Sequence, residues 1–208
     1  HEMQVKNRPA VKSCRVRVAH VLAAAALATV GNTAPVSADG VFFQSDISDT
    51  TANGVFVFAR EPLSFGLNHV RYDGGNRSTA NLLYRLPLPE NAPIVRLGPS
   101  YGVVEQDNAP SDSEFGAKAS IEKWMPTDFG SLYLLAEVNS IDRARFALAQ
   151  VGLSKPALQF ELSYGESDSY QETSVALSAR LGGGPINLRT GYRLDSEEFF
   201  IGLSINTF

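Results

Sequence analysis

Over residues 157–208 apolar and polar side chains alternate almost one for one, and no other feature narrows the possible folds as far. In 157–165, Leu158, Phe160, Leu162 and Tyr164 share one face, while Gln159, Glu161, Ser163 and Gly165 share the other. Residues 173–181 set Val175, Leu177, Ala179 and Leu181 against Ser174, Ala176, Ser178 and Arg180. Residues 186–194 set Leu188, Thr190, Tyr192 and Leu194 against Asn187, Arg189, Gly191 and Arg193. Period two is the signature of a strand whose two faces meet different surroundings. A soluble sandwich shows it too, so the period alone does not say which solvent wets which face.

The other end of the chain names the compartment. Lys6, Arg8, Lys12, Arg15 and Arg17 precede an apolar run at 21–30 and the small-residue site Val36, Ser37, Ala38. A basic region, a short apolar core and a small-residue site describe a secretory signal peptide over 1–38. The run is too short to cross a bilayer as a helix. His1 and Glu2 precede Met3 and read as additions ahead of the native start. Cleavage after Ala38 removes the only cysteine, Cys14, so the exported chain has no disulfide and no thiol nucleophile. It also leaves 13 Lys plus Arg against 21 Asp plus Glu, a net charge of −8. That balance makes nucleic acid a poor partner. No later segment approaches 18 consecutive apolar residues, so any crossing of a membrane is made by strands.

From Leu63 onward ten alternating runs are separated by turn chemistry, at roughly 63–72, 77–86, 94–104, 115–124, 129–138, 143–153, 157–165, 172–181, 186–194 and 198–208. Their connections come in two sets. Those at 87–93, 125–128, 154–156 and 182–185 contain proline; those at 73–76, 105–114, 139–142, 166–171 and 195–197 are polar and mostly acidic. Every second turn belongs to the same set, as an up-and-down meander with two distinct ends requires. Residues 39–60 read as one more short hairpin, giving twelve strands if it joins the wall and ten if it does not. Both counts are even, which places both ends of the domain on one side. The fold expected for 39–208 is therefore all-β, an antiparallel up-and-down transmembrane β-barrel of 10 to 12 strands.

Aromatic residues gather where the strands end. Tyr72, Tyr164, Tyr192 and Phe199 fall at the acidic-loop end, and Tyr84, Trp124, Phe129 and Phe208 at the proline-turn end. Two girdles flanking an apolar band suit the two headgroup zones of an outer membrane. With its signal peptide, even meander, unequal loops and terminal strand 199–208 ending in Phe208, the chain resembles the small single-chain outer-membrane β-barrel proteins of bacteria, a porin-like family. The resemblance implies outer-membrane lipid and lipopolysaccharide as surroundings, and a terminal strand read by the insertion machinery. Ile201, Leu203 and Ile205 have the opposite parity to Phe208, so a bulge near Asn206 and Thr207 is expected to bring the terminal ring into line.

If the apolar faces meet lipid, the lumen receives Arg85, Arg96, Lys118, Glu122, Glu137, Arg145, Glu161, Arg180, Arg189 and Arg193. Charges withdrawn from bulk water are paired, which predicts a salt-bridge network that plugs the barrel. The arginine excess in this set also predicts a narrow path that favours anions. The expected function is a non-enzymatic outer-membrane barrel, either an anion-leaning pore or a plugged structural barrel. Binding through the acidic loops is one alternative. Another is modification of lipid A, because barrel lipid-A enzymes pair a histidine with an activated serine. Here the one exported histidine is His69, with Arg71 rather than serine two residues on, which favours a plain interfacial histidine. No His, Cys or carboxylate group has metal-ligand spacing, and 182–184 lacks the Lys-Ser of a phosphate loop, so no metal or cofactor is expected. The acidic segment 105–114 reads as a solvated loop, with a divalent cation as the less favoured use.

Overall fold

The structure, a computed structural model, describes residues 39–107, 110–168 and 170–208. The expected signal peptide at 1–38 lies outside the described residues. Among the described residues twelve strands form one closed antiparallel barrel in which each strand pairs with its sequence neighbours. They are β1 Gly40–Ile47, β2 Ala52–Arg60, β3 Leu63–Tyr72, β4 Gly75–Arg85, β5 Ile94–Gln106, β6 Asp112–Thr127, β7 Gly130–Asn139, β8 Arg145–Leu153, β9 Leu158–Ser167, β10 Tyr170–Arg180, β11 Ile186–Arg193 and β12 Glu198–Asn206. The hairpin at 39–60 belongs to the wall, and β1 closes the barrel on β12 from Phe42↔Asn206 to Ile47↔Ile201. Closure leaves no edge strand with unpaired backbone groups, a condition for standing in hydrocarbon.

The register turns the alternation into two surfaces. On β3, Leu63, Phe65 and Leu67 are exposed outward while Ser64 and Gly66 are buried inward. On β12, Phe199, Ile201 and Leu203 face out, and Phe200 and Ser204 are buried. Leucine, isoleucine, phenylalanine and tyrosine cover the exterior, whereas the buried set is mostly serine, arginine and carboxylate. That polarity is the reverse of a soluble barrel and fits an apolar solvent outside. Pro99 sits on the outward face of β5, where its missing N–H interrupts the β4–β5 ladder between Asn81↔Ser100 and Tyr84↔Leu97.

Several segments differ from the sequence expectation. The acidic loop expected at 105–114 is largely ladder, since Asn76↔Glu105, Gly102↔Glu114 and Val104↔Asp112 are paired and only a short connection remains. The β7–β8 connection is a 3₁₀ turn, Ile141–Arg143, folded back onto the wall. No bulge forms at the terminal strand. Asn206 N–H donates to the Pro185 carbonyl at 3.1 Å and Thr207 N–H to Val41 at 3.0 Å, so the ladder runs on unbroken.

Candidate functional site

The lumen is the site, and parity decides what enters it. Arg85, Arg96, Lys118, Glu122, Glu137, Glu161, Arg180, Arg189 and Arg193 all occupy inward register positions. Arg145 does not. It pairs with Glu166 across β8–β9, on the face that carries Ala147, Ala149 and Leu162, and is exposed at the outer wall. Inward residues of β8 include Phe146 and Leu148, so both faces of this strand are apolar and the alternation that sorts other strands is lost.

The girdle residues divide as well. Tyr84, Tyr164, Tyr192 and Phe199 face outward, with the Tyr192 and Phe199 rings 4.7 Å apart, and Phe129 sits exposed in the β6–β7 turn. Tyr72 and Trp124 have the inward register instead and lie at opposite mouths of the barrel. Trp124 follows Glu122 on the same face of β6, and Tyr72 follows Gly66 and Asn68 on β3. Phe208 keeps the inward parity of Phe200 and Ser204, and its ring occupies the space a side chain at Gly40 would fill, 2.7 Å from that Cβ position. Two aromatics absent from the expected girdles, Tyr101 and Phe115, pair outward at 4.6 Å on the acidic-loop side.

The inward charges form two groups of different accessibility. The first centres on Arg189. Its Nε donates to Asp46 at 3.2 Å and its two Nη atoms donate to Glu161 at 3.1 Å each, with side chains only 3%, 7% and 8% exposed. Gln44 donates to Asp46 at 2.7 Å and Gln150 to Glu161 at 3.1 Å, which gives each carboxylate a neutral donor beside the guanidinium. Nearer the acidic-loop end Arg193 donates to Glu198 at 3.2 Å and to Ser48 at 2.8 Å, and lies over the Phe200 ring. Glu172 is also buried there, accepting from the backbone N–H groups of Asp195 and Ser196. These contacts line the side of the lumen formed by β9 to β12 and β1 with buried side chains whose charges are paired with one another.

The second group lines β4 to β7 and is wetter. Arg85 and Arg96 stand opposite each other on β4 and β5, and Glu61, from the β2–β3 turn, accepts from both at 2.9 and 3.4 Å. Glu122 accepts from Arg96 and from the Tyr133 hydroxyl. Lys118 pairs with Glu137 at 2.9 Å, and Arg77 pairs with Asp142 of the 3₁₀ turn. Side-chain exposures here reach 25% for Glu137 and 34% for Arg85. Arg180 is exposed at the proline-turn mouth.

The 3₁₀ turn caps this wetter side. Ile141 is 3% exposed and lies over Gly102 and Gly116, two inward glycines whose Cβ atoms would come within 3.3 and 2.6 Å of its side chain. Asp142 and Arg143 take left-handed backbone angles, φ 49° and 48°, which cost non-glycine residues about 1–2 kcal/mol each. Arg77 holds the first and Asp168 the second, the latter at 2.7 Å. Strain of this kind, overdetermined by its surroundings, is common where a segment has a task.

His69 faces outward beside Leu67. Its Nδ1 is 2.9 Å from the hydroxyl of Ser78, its cross-strand partner, in a shallow groove of about 300 Å³ walled by Leu67, Ala80, Tyr101 and Val103. A histidine–serine pair does form, from a neighbouring strand. Among the described residues no carboxylate orients the imidazole, and the strands flanking Ser78 are paired with it on both sides.

No protein-family model and no curated protein sequence matches the chain. Among solved structures it is similar to one described as KdgM porin, at 11% identity and a TM-score of 0.49, over 81% of this chain and 99% of that one. It is also similar to the outer membrane protein Omp33 of Acinetobacter baumannii, at 11% identity and a TM-score of 0.48, over 82% of this chain and 97% of that one. No residue here takes a role from either.

Proposed function

We propose that the chain is a non-enzymatic channel of a bacterial outer membrane, with a narrow aqueous path along the inner wall of β4 to β7. The observation that carries this is the uneven lumen, sealed around Arg189 and wet around Arg85, Lys118 and Glu137. Twelve strands at a spacing of about 4.8 Å and a tilt of about 40° would close into a wall about 24 Å across, wider than the eight-stranded barrels that side chains fill. Residues 1–38 serve export in this reading, and the strand ending at Phe208 serves insertion.

Charge selectivity is weak. In the ion pairs of the wet wall Arg77, Arg85, Arg96 and Lys118 meet Glu61, Glu122, Glu137 and Asp142, four cations against four anions. The arginine excess behind the expected anion preference disappears once Glu61 reaches in from a turn and Asp142 from the 3₁₀ segment.

Planar-bilayer recording of the refolded protein under a salt gradient tests the proposal. Discrete steps with a reversal potential near zero are expected. Folded, inserted barrel without steps would mean that both halves are plugged.

A further inference from the structure

Beside its paired charges the wet wall carries a strip of neutral groups with hydrogen-bonding capacity left over. Asn81 lies across the inward face of Gly66, where a Cβ would come within 2.8 Å of Oδ1 and 2.9 Å of Nδ2. Among the described residues its carboxamide makes no hydrogen bond to protein, and the residue is only half-buried. Asn68, on the next strand, donates to Asn53 at 3.2 Å, and the acceptor of the first and donor of the second stay open. Asn139 donates to the Ser100 hydroxyl at 2.9 Å, and the hydroxyl of Thr79, opposite Asn68, has no side-chain partner. Each carboxamide offers two donor hydrogens and an acceptor oxygen with two lone pairs. These groups stand about 5 Å apart across strands and about 7 Å apart along them.

We infer that this strip binds and passes uncharged, polyhydroxylated solutes of monosaccharide size, an inference that rests on the channel reading above. An ion gains little from the paired charges beside the strip, because each of those eight already has its counter-charge and their net field is small. A sugar hydroxyl both donates and accepts, and so replaces its lost water with either end of an asparagine. In a pore the lining donors and acceptors, together with the residual field, set which solute exchanges its hydration most easily. The sealed side offers no equivalent, since its polar groups are already spent on one another.

The test uses the full exported chain in liposomes and planar bilayers, with glucose, gluconate and glucosamine as neutral, anionic and cationic probes of similar size. Glucose should enter fastest in swelling assays, and should block potassium chloride conductance saturably. Asn81→Ala should weaken that block about fivefold and Asn68→Ala/Asn81→Ala about 25-fold, one net hydrogen bond being lost at each site. The unblocked conductance of each variant reports its insertion. If ions pass but the charged probes enter as fast as glucose, or the block is linear and indifferent to both substitutions, the sugar strip is refuted and the channel stands. If a folded barrel passes neither ions nor solutes, the channel reading falls and the strip falls with it.

Discussion

Replacing Arg189 by methionine should damage this barrel more than any other single charge removal. The guanidinium makes a two-pronged contact with Glu161 and a third bond to Asp46, and all three side chains are more than nine-tenths buried. Methionine keeps much of the volume and leaves two carboxylates facing each other, their remaining donors being Gln44 and Gln150. Removing one member of a buried ion pair costs about 3–5 kcal/mol, because the orphaned charge keeps its desolvation penalty. A comparison pair exists in the same molecule. Arg143 and Asp168 are 81% and 45% exposed, so Arg143→Ala should cost no more than about 1 kcal/mol. Neutralising the whole cluster, with Asp46→Asn, Glu161→Gln and Arg189→Met together, should recover most of the loss. The assay is urea unfolding in lipid vesicles, with the folded fraction read from heat-modifiable gel mobility. Arg189→Met within about 1 kcal/mol of the parent would refute the reasoning, as would a triple variant no better than the single one.

Three further outcomes follow from the wet wall and the exterior. Glu61→Gln leaves Arg85 and Arg96 opposed with a shared carboxylate lost, which should cost roughly 1–2 kcal/mol in the same unfolding assay and move the reversal potential toward anions. Ile141→Ala removes the side chain that seats the 3₁₀ turn on Gly102 and Gly116, at about 2–4 kcal/mol of local stability. Because the ladders do not run through that turn, the variant should still insert and migrate as a folded barrel, with a lowered unfolding midpoint and a raised single-channel conductance. His69→Ala should change stability by no more than about 0.5 kcal/mol, and mass spectrometry of lipid A from overproducing cells should show no difference between this variant and the parent.

The strand pattern is legible because an apolar exterior and a polar lumen put different chemistry on alternate residues, and wherever that contrast is sharp the parity reads directly. Arg189, Arg193 and Glu161 sit on such strands, and their inward placement follows from the leucines and tyrosines beside them. Where both faces are apolar the signal fails. The inward residues of β1 and β2 include Phe42, Val55 and Val57, so the hairpin did not announce itself as wall, and Phe146 and Leu148 hid the true facing of Arg145. The inward face of Trp124 is legible in the sequence, since Glu122 two residues earlier already fixes it. Glu61 carried no periodic signal, because a turn residue reaches the lumen by chain direction and not by parity. Ile141 did carry one, as a lone large apolar residue in a polar connection.

The residues that parity could not place are the ones that set the character of the lumen. Counting strand charges alone gives an arginine surplus and therefore an anion path. Glu61 and Asp142 enter from opposite ends of the barrel, one from a proline turn and one from the capping segment, and cancel that surplus where the wall is wettest. Neutral pairing stabilises Arg85 and Arg96 against each other, and it also removes the field that would have sorted ions. In the proposed channel, selection then passes to groups that no charge count registers, the carboxamides of Asn68 and Asn81 on β3 and β4, facing a lumen whose opposite wall is spent on itself.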